Sequence, residues 1–157
     1  MVNLFEALMH LVNPPLCPMC GRALCMDEAG ICFECIRQLP RTEEAINRNN
    51  KLELLFTGDD KFVRGGAFCF YPEEHPFREA IHAMKYYDMP EIGETLGKTA
   101  ATEWLPTGFF KDIDLIIPLP LHKRRFRQRG YNQAEWIARG VGNLLLMMLV
   151  RLLRSVS

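Results

Sequence analysis

Hydrophobic positions recur at helical intervals in four parts of the chain. Residues 1–16 carry leucines on one helical face before two prolines, which predicts an amphipathic N-terminal helix. The ranges 77–87 and 91–104 repeat apolar residues every three or four positions and predict two further helices. A fourth helix is predicted to begin at Asn132, because Glu135 three residues later gives the pattern of a capping box.

Two other stretches have the pattern of strands. Residues 62–71 are rich in aromatics and end before a proline, which predicts a strand with a bend at Gly65 and Gly66. Residues 113–121 form an apolar run interrupted only by Asp114, which is typical of a strand buried on both faces. Strands of that kind lie in parallel sheets covered by helices, so we expect an α/β fold class. The polar residues 41–60 predict a linker.

Composition and charge restrict the classes of function. A hydrophobic share of 48% is that of an ordinary globular protein, and a formal net charge of zero provides no overall field toward nucleic acid or membrane. The longest apolar run, 144–150, is much shorter than the roughly twenty residues of a membrane span. The first residues lack the basic start and cleavage site of a signal peptide, so we expect a cytoplasmic protein. Thiols stay reduced there, and six cysteines then favour metal over disulfides.

Four of the six cysteines form two Cys-x-x-Cys pairs separated by eleven residues: Cys17, Cys20, Cys32 and Cys35. Zinc prefers four thiolates in a tetrahedron at about 2.3 Å, and two such turns supply that arrangement. The spacing therefore predicts a structural zinc ribbon over residues 17–40, with no open position on the metal. Two disulfides are the alternative. We interpret Cys25 as a loop residue and Cys69 as a buried thiol.

A strongly basic segment follows the predicted strand 113–121. Between His122 and Gly130 lie five cations: Lys123, Arg124, Arg125, Arg127 and Arg129. In open α/β sheets ligands bind beyond the carboxyl ends of strands, and the next helix start offers backbone N–H groups to an anion. The arrangement predicts an anion site for phosphate or pyrophosphate. The phosphate backbone of DNA is a second candidate ligand for such a site. The alternative is a solvated basic loop that forms no binding site.

Three stretches carry a likeness to known proteins: CPMCGRAL…ICFECIRQLP, AIHAMKYYDMPEIGETLG and DLIIPLPLHKRRFRQRGYNQAEWIA. They resemble the ComF family, whose members join an N-terminal zinc ribbon to a phosphoribosyltransferase-type domain. The resemblance implies structural zinc, a partial transferase-like domain over residues 61–157, and a connection with DNA uptake and competence. It aligns Lys85 with a lysine of the family, and it implies Mg²⁺ with phosphoribosyl pyrophosphate in a complete relative. The implied pyrophosphate-binding residues are Arg129, Gly130, Tyr131 and Asn132.

The chain departs from the family pattern after Gly140. No acidic strand end with a Thr-Thr-Gly loop for phosphoribosyl pyrophosphate is found, and Asp59 and Asp60 precede the first predicted core strand. The bias toward leucine, arginine and serine after Gly140 is typical of a frameshifted or prematurely ended reading frame. We therefore expect a truncated ComF-like chain without transferase activity. The alternatives are a non-enzymatic zinc module that binds DNA or a protein partner, and a non-functional fragment.

Overall fold

The computed structural model describes residues 13–44 and 47–155. Most of the helix predicted over residues 1–16 lies outside the described residues. Within the described ranges the chain forms α-helices, one 3-10 turn and two isolated antiparallel bridges, and it contains no sheet. The helices are α1 (Phe33–Arg37), α2 (Lys51–Leu54), α3 (Phe77–Tyr86), α4 (Glu91–Trp104), α5 (Lys123–Arg129) and α6 (Gln133–Ser155), and the 3-10 turn is Leu105–Thr107.

The α/β fold class predicted from the sequence, with its transferase-like sheet, is wrong for the described part of the chain. Residues 113–121 have no regular secondary structure and pair with no other segment there. A strand is stable only when a neighbouring strand takes up its backbone N–H and C=O groups. Without that partner four apolar side chains of the run are exposed, from 46% at Ile113 to 81% at Leu119, whereas Ile116 is half-buried. A short apolar run cannot by itself distinguish a paired strand from an irregular segment.

The other predicted strand, residues 62–71, is reduced to a single bridge. Cys69 pairs antiparallel with Arg41, at the far end of the stretch. Near its middle, the Asn50 side chain donates from Nδ2 to the Gly65 carbonyl at 2.8 Å. Because a side chain at the start of α2 satisfies this carbonyl, the segment needs no strand partner here. The predicted strand is therefore wrong over most of its length.

Helices α3 and α4 form where the periodicity predicts them, and α4 packs closely on α6. A Cβ at Gly97 of α4 would overlap with the main-chain carbonyl of Ile137, and one at Gly140 of α6 with that of Glu94. The two backbones therefore touch, which only glycine permits at these positions. Although α6 has 23 residues, no described helix combines the length and the apolar character needed to cross a membrane.

One hydrophobic core joins the cysteine-rich residues 15–40, named here the cysteine module, to helices α3 and α4. Ile31 of the module and Ile92 of α4 are both fully buried. A Cβ at Gly30 would lie 2.6 Å from the Ile92 Cγ1 atom, so the module backbone sits directly on α4. The Thr95 hydroxyl also donates to the Ala29 carbonyl at 2.8 Å. Burial of apolar surface and this hydrogen bond fix the module against the helices.

Candidate metal centre and basic pocket

The first cysteine pair lies in a tight turn of the cysteine module. The Cys17 N–H donates to the Arg22 carbonyl at 2.8 Å, and the Gly21 N–H donates to the Cys17 carbonyl at 2.8 Å. Gly21 has a φ of +73°, a left-handed conformation that glycine adopts without a steric cost. The turn therefore brings Cys17 and Cys20 to the same side of the module.

The second pair lies at the start of α1. Cys32 is the N-cap, and its sulfur accepts a hydrogen bond from the Cys35 N–H at 3.5 Å. Cys35 follows in the first turn of the helix. The helix start therefore brings the second pair of thiols together, as the turn at Gly21 does for the first pair.

The four sulfur atoms converge on one point. All of them lie within 4.8 Å of one another, and the Cys20 and Cys32 Sγ atoms are 3.7 Å apart. Disulfide sulfurs are bonded at about 2.05 Å, so the paired-disulfide alternative does not fit, and all six cysteines are free thiols. Four sulfurs at about 2.3 Å from one tetrahedral ion would be about 3.8 Å apart. The four cysteines lie close enough to hold a metal ion, and their geometry is compatible with structural zinc.

The pKa values at this site show what a cation would contribute. Burial raises the pKa of the Cys17 thiol, but hydrogen bonds from backbone N–H groups, first that of Cys32, outweigh it and lower the pKa to about 7. Burial and then the neighbouring thiols raise the pKa of Cys35. Four adjacent thiolates repel one another, and a bound dication removes this repulsion and lowers their pKa values.

Glu28 organises the loop between the two pairs, and the sequence analysis missed it. Its side chain is buried and accepts hydrogen bonds from the Cys25 N–H at 2.9 Å, the Phe33 N–H at 2.8 Å and the Arg22 guanidinium at 2.7 Å. These contacts, led by the Cys25 N–H, lower the pKa of Glu28. The one available signal was a pair of acids, Asp27 and Glu28, within the eleven-residue loop.

The two remaining cysteines lie outside the cluster of four. Cys25 is exposed, and Cys69 is half-buried beside the bridge to Arg41. Burial raises the pKa of Cys69 to about 11. Among the described residues the four clustered cysteines are the only close group of three or more metal-binding side chains. The structure therefore offers no carboxylate cluster there for the Mg²⁺ that the resemblance implies.

The basic segment is a helix, α5, and not the loop that the sequence suggested. The His122 side chain caps it by accepting from the Arg124 N–H at 3.3 Å, and Gly130 ends it with a φ of +78°. Arginine and lysine have good helix propensity, but the segment contains a single apolar side chain, Phe126. The helix therefore has no repeating apolar positions, so its helical periodicity cannot be recognised from the sequence.

Two arginines of α5 and one lysine of α3 border a common pocket of about 640 Å³. Arg125 and Arg129 are four residues apart, so they share one face of α5, and Lys85 faces them from α3. The Arg129 guanidinium lies 5.4 Å from the centre of the Tyr86 ring and donates to the Gln133 side chain at 3.0 Å. The residues that line this basic pocket are Lys85, Tyr86, Asp88, Arg125, Gln128, Arg129 and Tyr131.

Of the four predicted anion-binding residues, Arg129 and Tyr131 line the basic pocket and the other two do not. The Tyr131 hydroxyl donates to the Met84 carbonyl, and burial followed by the nearby Asp88 raises the pKa of Tyr131. Gly130 contributes only the left-handed turn that ends α5. Two of the four residues predicted from the sequence therefore line the pocket, and their binding of an anion stays a prediction.

Asn132 serves the chain itself and not the pocket. Its Oδ1 atom accepts from the Ala134 N–H at 3.1 Å, which is the predicted N-cap of α6. Its Nδ2 atom donates to the Leu119 carbonyl at 2.8 Å. The Glu135 N–H bonds the Asn132 carbonyl, and the Glu135 carboxylate pairs with Arg139. Three of the expected free N–H groups at this helix start, those of Ala134, Glu135 and Trp136, therefore bond Asn132 itself.

No protein-family model, curated protein or solved structure matches this chain. Inference of function therefore rests on the two sites described above. The cysteine cluster has the donor set of a metal centre, and the basic pocket has the cations of an anion site.

Proposed function

We propose that this chain is a zinc-stabilised, ComF-like protein whose basic pocket binds the pyrophosphate end of a ligand such as phosphoribosyl pyrophosphate. Zinc is favoured for the metal centre because four thiolates are the ligand set of structural zinc sites. With all four positions filled by protein, the metal stabilises the fold and leaves no site for catalytic water. Metal binding then stabilises the cysteine module, which packs on α4.

The convergence of Lys85, Arg125 and Arg129 is the observation that carries the ligand proposal. These three cations come from two helices and share the pocket with a single carboxylate, Asp88, among the described residues. None of the three forms a salt bridge within the described part of the chain. Charge-assisted hydrogen bonds from several cations are how proteins hold phosphate groups.

Titration of the zinc-loaded chain with pyrophosphate, followed by NMR and calorimetry, tests this proposal. Lys85→Ala and Arg125→Ala should each weaken binding about tenfold or more, since a charged hydrogen bond contributes about 1.5–3 kcal/mol. Arg127→Ala is the matched control, because Arg127 lies on the same helix, is exposed and does not line the pocket. Equal losses in all three variants would show a general basic surface in place of a pocket.

A second candidate, binding of single-stranded nucleic acid, is favoured by the surface of α5. The helix carries five cations and no acid, and Phe126 on it is 47% exposed. Basic side chains beside exposed aromatic rings bind single strands through phosphate contacts and base stacking. Binding of this kind should fall steeply with salt and should be weakened by Arg127→Ala and by Phe126→Ala. Pyrophosphate binding in the pocket should be insensitive to Phe126→Ala.

A further inference from the structure

Helix α3 presents one stripe of side chains that leads from an apolar cavity to the basic pocket. Phe77, Ile81 and Lys85 are spaced four residues apart, so they lie on one face of the helix. All three line a second cavity of about 340 Å³, named here the apolar cavity. Lys85 also lines the basic pocket, so the two spaces share this residue as a border.

The opposite wall of the apolar cavity comes from α4 and α6. Leu96 and Ala100 of α4 and Ile137 of α6 face the α3 stripe, and Phe68 contributes an aromatic ring. Phe77 and Leu96 are almost completely buried, so the cavity extends into the core. Lys85 is the only charged side chain among the described residues of its lining. A hydrophobic space with one cation at its border is complementary to an apolar group that carries an anion.

We propose that the two spaces form one binding site for a phosphate ester of a ring-bearing alcohol. The phosphate lies in the basic pocket, where Lys85, Arg125 and Arg129 neutralise its charge, and the ring enters the apolar cavity beside Phe68 and Phe77. Aromatic side chains favour a flat ring through stacked or edge contacts. This inference rests on the proposed anion-binding function and adds the class of group that is joined to the phosphate.

The probe is 1-naphthyl phosphate, compared by calorimetry on the zinc-loaded full chain with inorganic phosphate, with pyrophosphate and with uncharged 1-naphthol. We expect 1-naphthyl phosphate to bind about tenfold or more tightly than inorganic phosphate, because burial of the ring adds to the charge contacts. Ala100→Leu fills the cavity and should abolish that gain while pyrophosphate affinity is unchanged. Thr102→Leu is the matched control, because Thr102 is exposed on α4 and does not line the cavity.

A second measurement needs no variant. Cys69 lines the apolar cavity, so 1-naphthyl phosphate should slow its alkylation, whereas pyrophosphate alone should not.

A Lys85→Met variant tests the residue that the two spaces share. It keeps the apolar stem and removes the charge, so it should weaken the binding of 1-naphthyl phosphate and of pyrophosphate alike. Loss of affinity for both ligands would assign Lys85 to both spaces.

The outcomes separate the two proposals. Pyrophosphate binding without any gain from the naphthyl ring, or equal binding of 1-naphthyl phosphate to wild type and Ala100→Leu, would overturn the joint site and leave the anion pocket intact. Binding of 1-naphthol as tight as that of its phosphate would also overturn it, since the charge would then contribute nothing. Failure of pyrophosphate and both phosphate probes to bind would refute the proposed anion function itself.

Discussion

The Tyr131 hydroxyl donates a hydrogen bond to the main-chain carbonyl of Met84, which joins the segment before α6 to the last turn of α3. That bond holds together two of the elements that border the basic pocket. We expect Tyr131→Phe to lower the free energy of unfolding by about 0.5–1.5 kcal/mol, the usual value of a lost hydrogen bond. Denaturant titration measures it, and pyrophosphate affinity should fall as the pocket loosens.

Tyr87→Phe is the control for this substitution. Tyr87 is 67% exposed, and its hydroxyl makes no hydrogen bond to another described residue. Its substitution should change stability by a few tenths of a kcal/mol at most. Equal stability of Tyr131→Phe and wild type would show that the contact with Met84 does not hold the pocket.

The backbone contact between α4 and α6 predicts opposite effects for glycines of the same helix. Gly140→Ala would push its Cβ into the Glu94 carbonyl and should destabilise the chain by about 1–3 kcal/mol. Gly142 has no neighbour within 4 Å of a Cβ. Gly142→Ala should therefore be neutral or stabilising by up to about 1 kcal/mol, because alanine is the better helix former. Thermal unfolding of the pair is the measurement, and similar melting temperatures would contradict the close packing.

Cysteine reactivity should follow burial. The pKa of Cys69 is raised to about 11 by burial, so at pH 8 the folded chain holds little of its thiolate. Because Cys25 is exposed, iodoacetamide should modify it well before Cys69 in the zinc-loaded protein. The rate at Cys69 should rise as the pH is increased toward 11. Peptide mapping by mass spectrometry follows both sites, and equal rates at pH 8 would contradict the placement of Cys69.

Glu28 should stabilise the cysteine module only when it is ionised. Its pKa is lowered in the folded chain from an ordinary value of 4.5, so its contribution is present above that value and is lost as the pH falls through the folded pKa. Glu28→Gln should therefore lower the melting temperature at pH 7, since one amide cannot accept all three hydrogen bonds. The difference from wild type should shrink below about pH 4.5.

Asp27→Asn is the matched control for Glu28→Gln. Asp27 is the preceding residue and is exposed, so its substitution should leave the melting temperature close to that of wild type across the same pH range. A wild-type-like melting curve for Glu28→Gln at pH 7 would show that the loop does not depend on this carboxylate.

The sequence predicted the cluster of four cysteines because its signal is local. Two Cys-x-x-Cys pairs place their thiols by short turns, and the periods of α3 and α4 are equally local. The strands failed because a strand depends on a partner distant in sequence, and the apolar run 113–121 finds none in the described part of the chain. A local pattern predicts what local contacts determine.

The basic pocket was predicted only in part for the same reason. Arg129 and Tyr131 lie in the segment that the sequence singled out, whereas Lys85 comes from a helix about forty residues earlier. The four-residue spacing of Arg125 and Arg129 becomes informative only once α5 is known to be a helix. Glu28 was missed because nothing in its immediate sequence shows that three hydrogen-bond donors surround it.

Metal content of the purified full chain tests the central claim most directly. Elemental analysis by mass spectrometry should find about one zinc ion per chain, because four thiolates complete one tetrahedral site. Cys17→Ser and Cys35→Ser should lose the metal, while Cys25→Ser, which changes an exposed thiol outside the cluster, should retain it. Absence of metal from the wild-type chain, with two disulfides among the four clustered cysteines, would contradict the account.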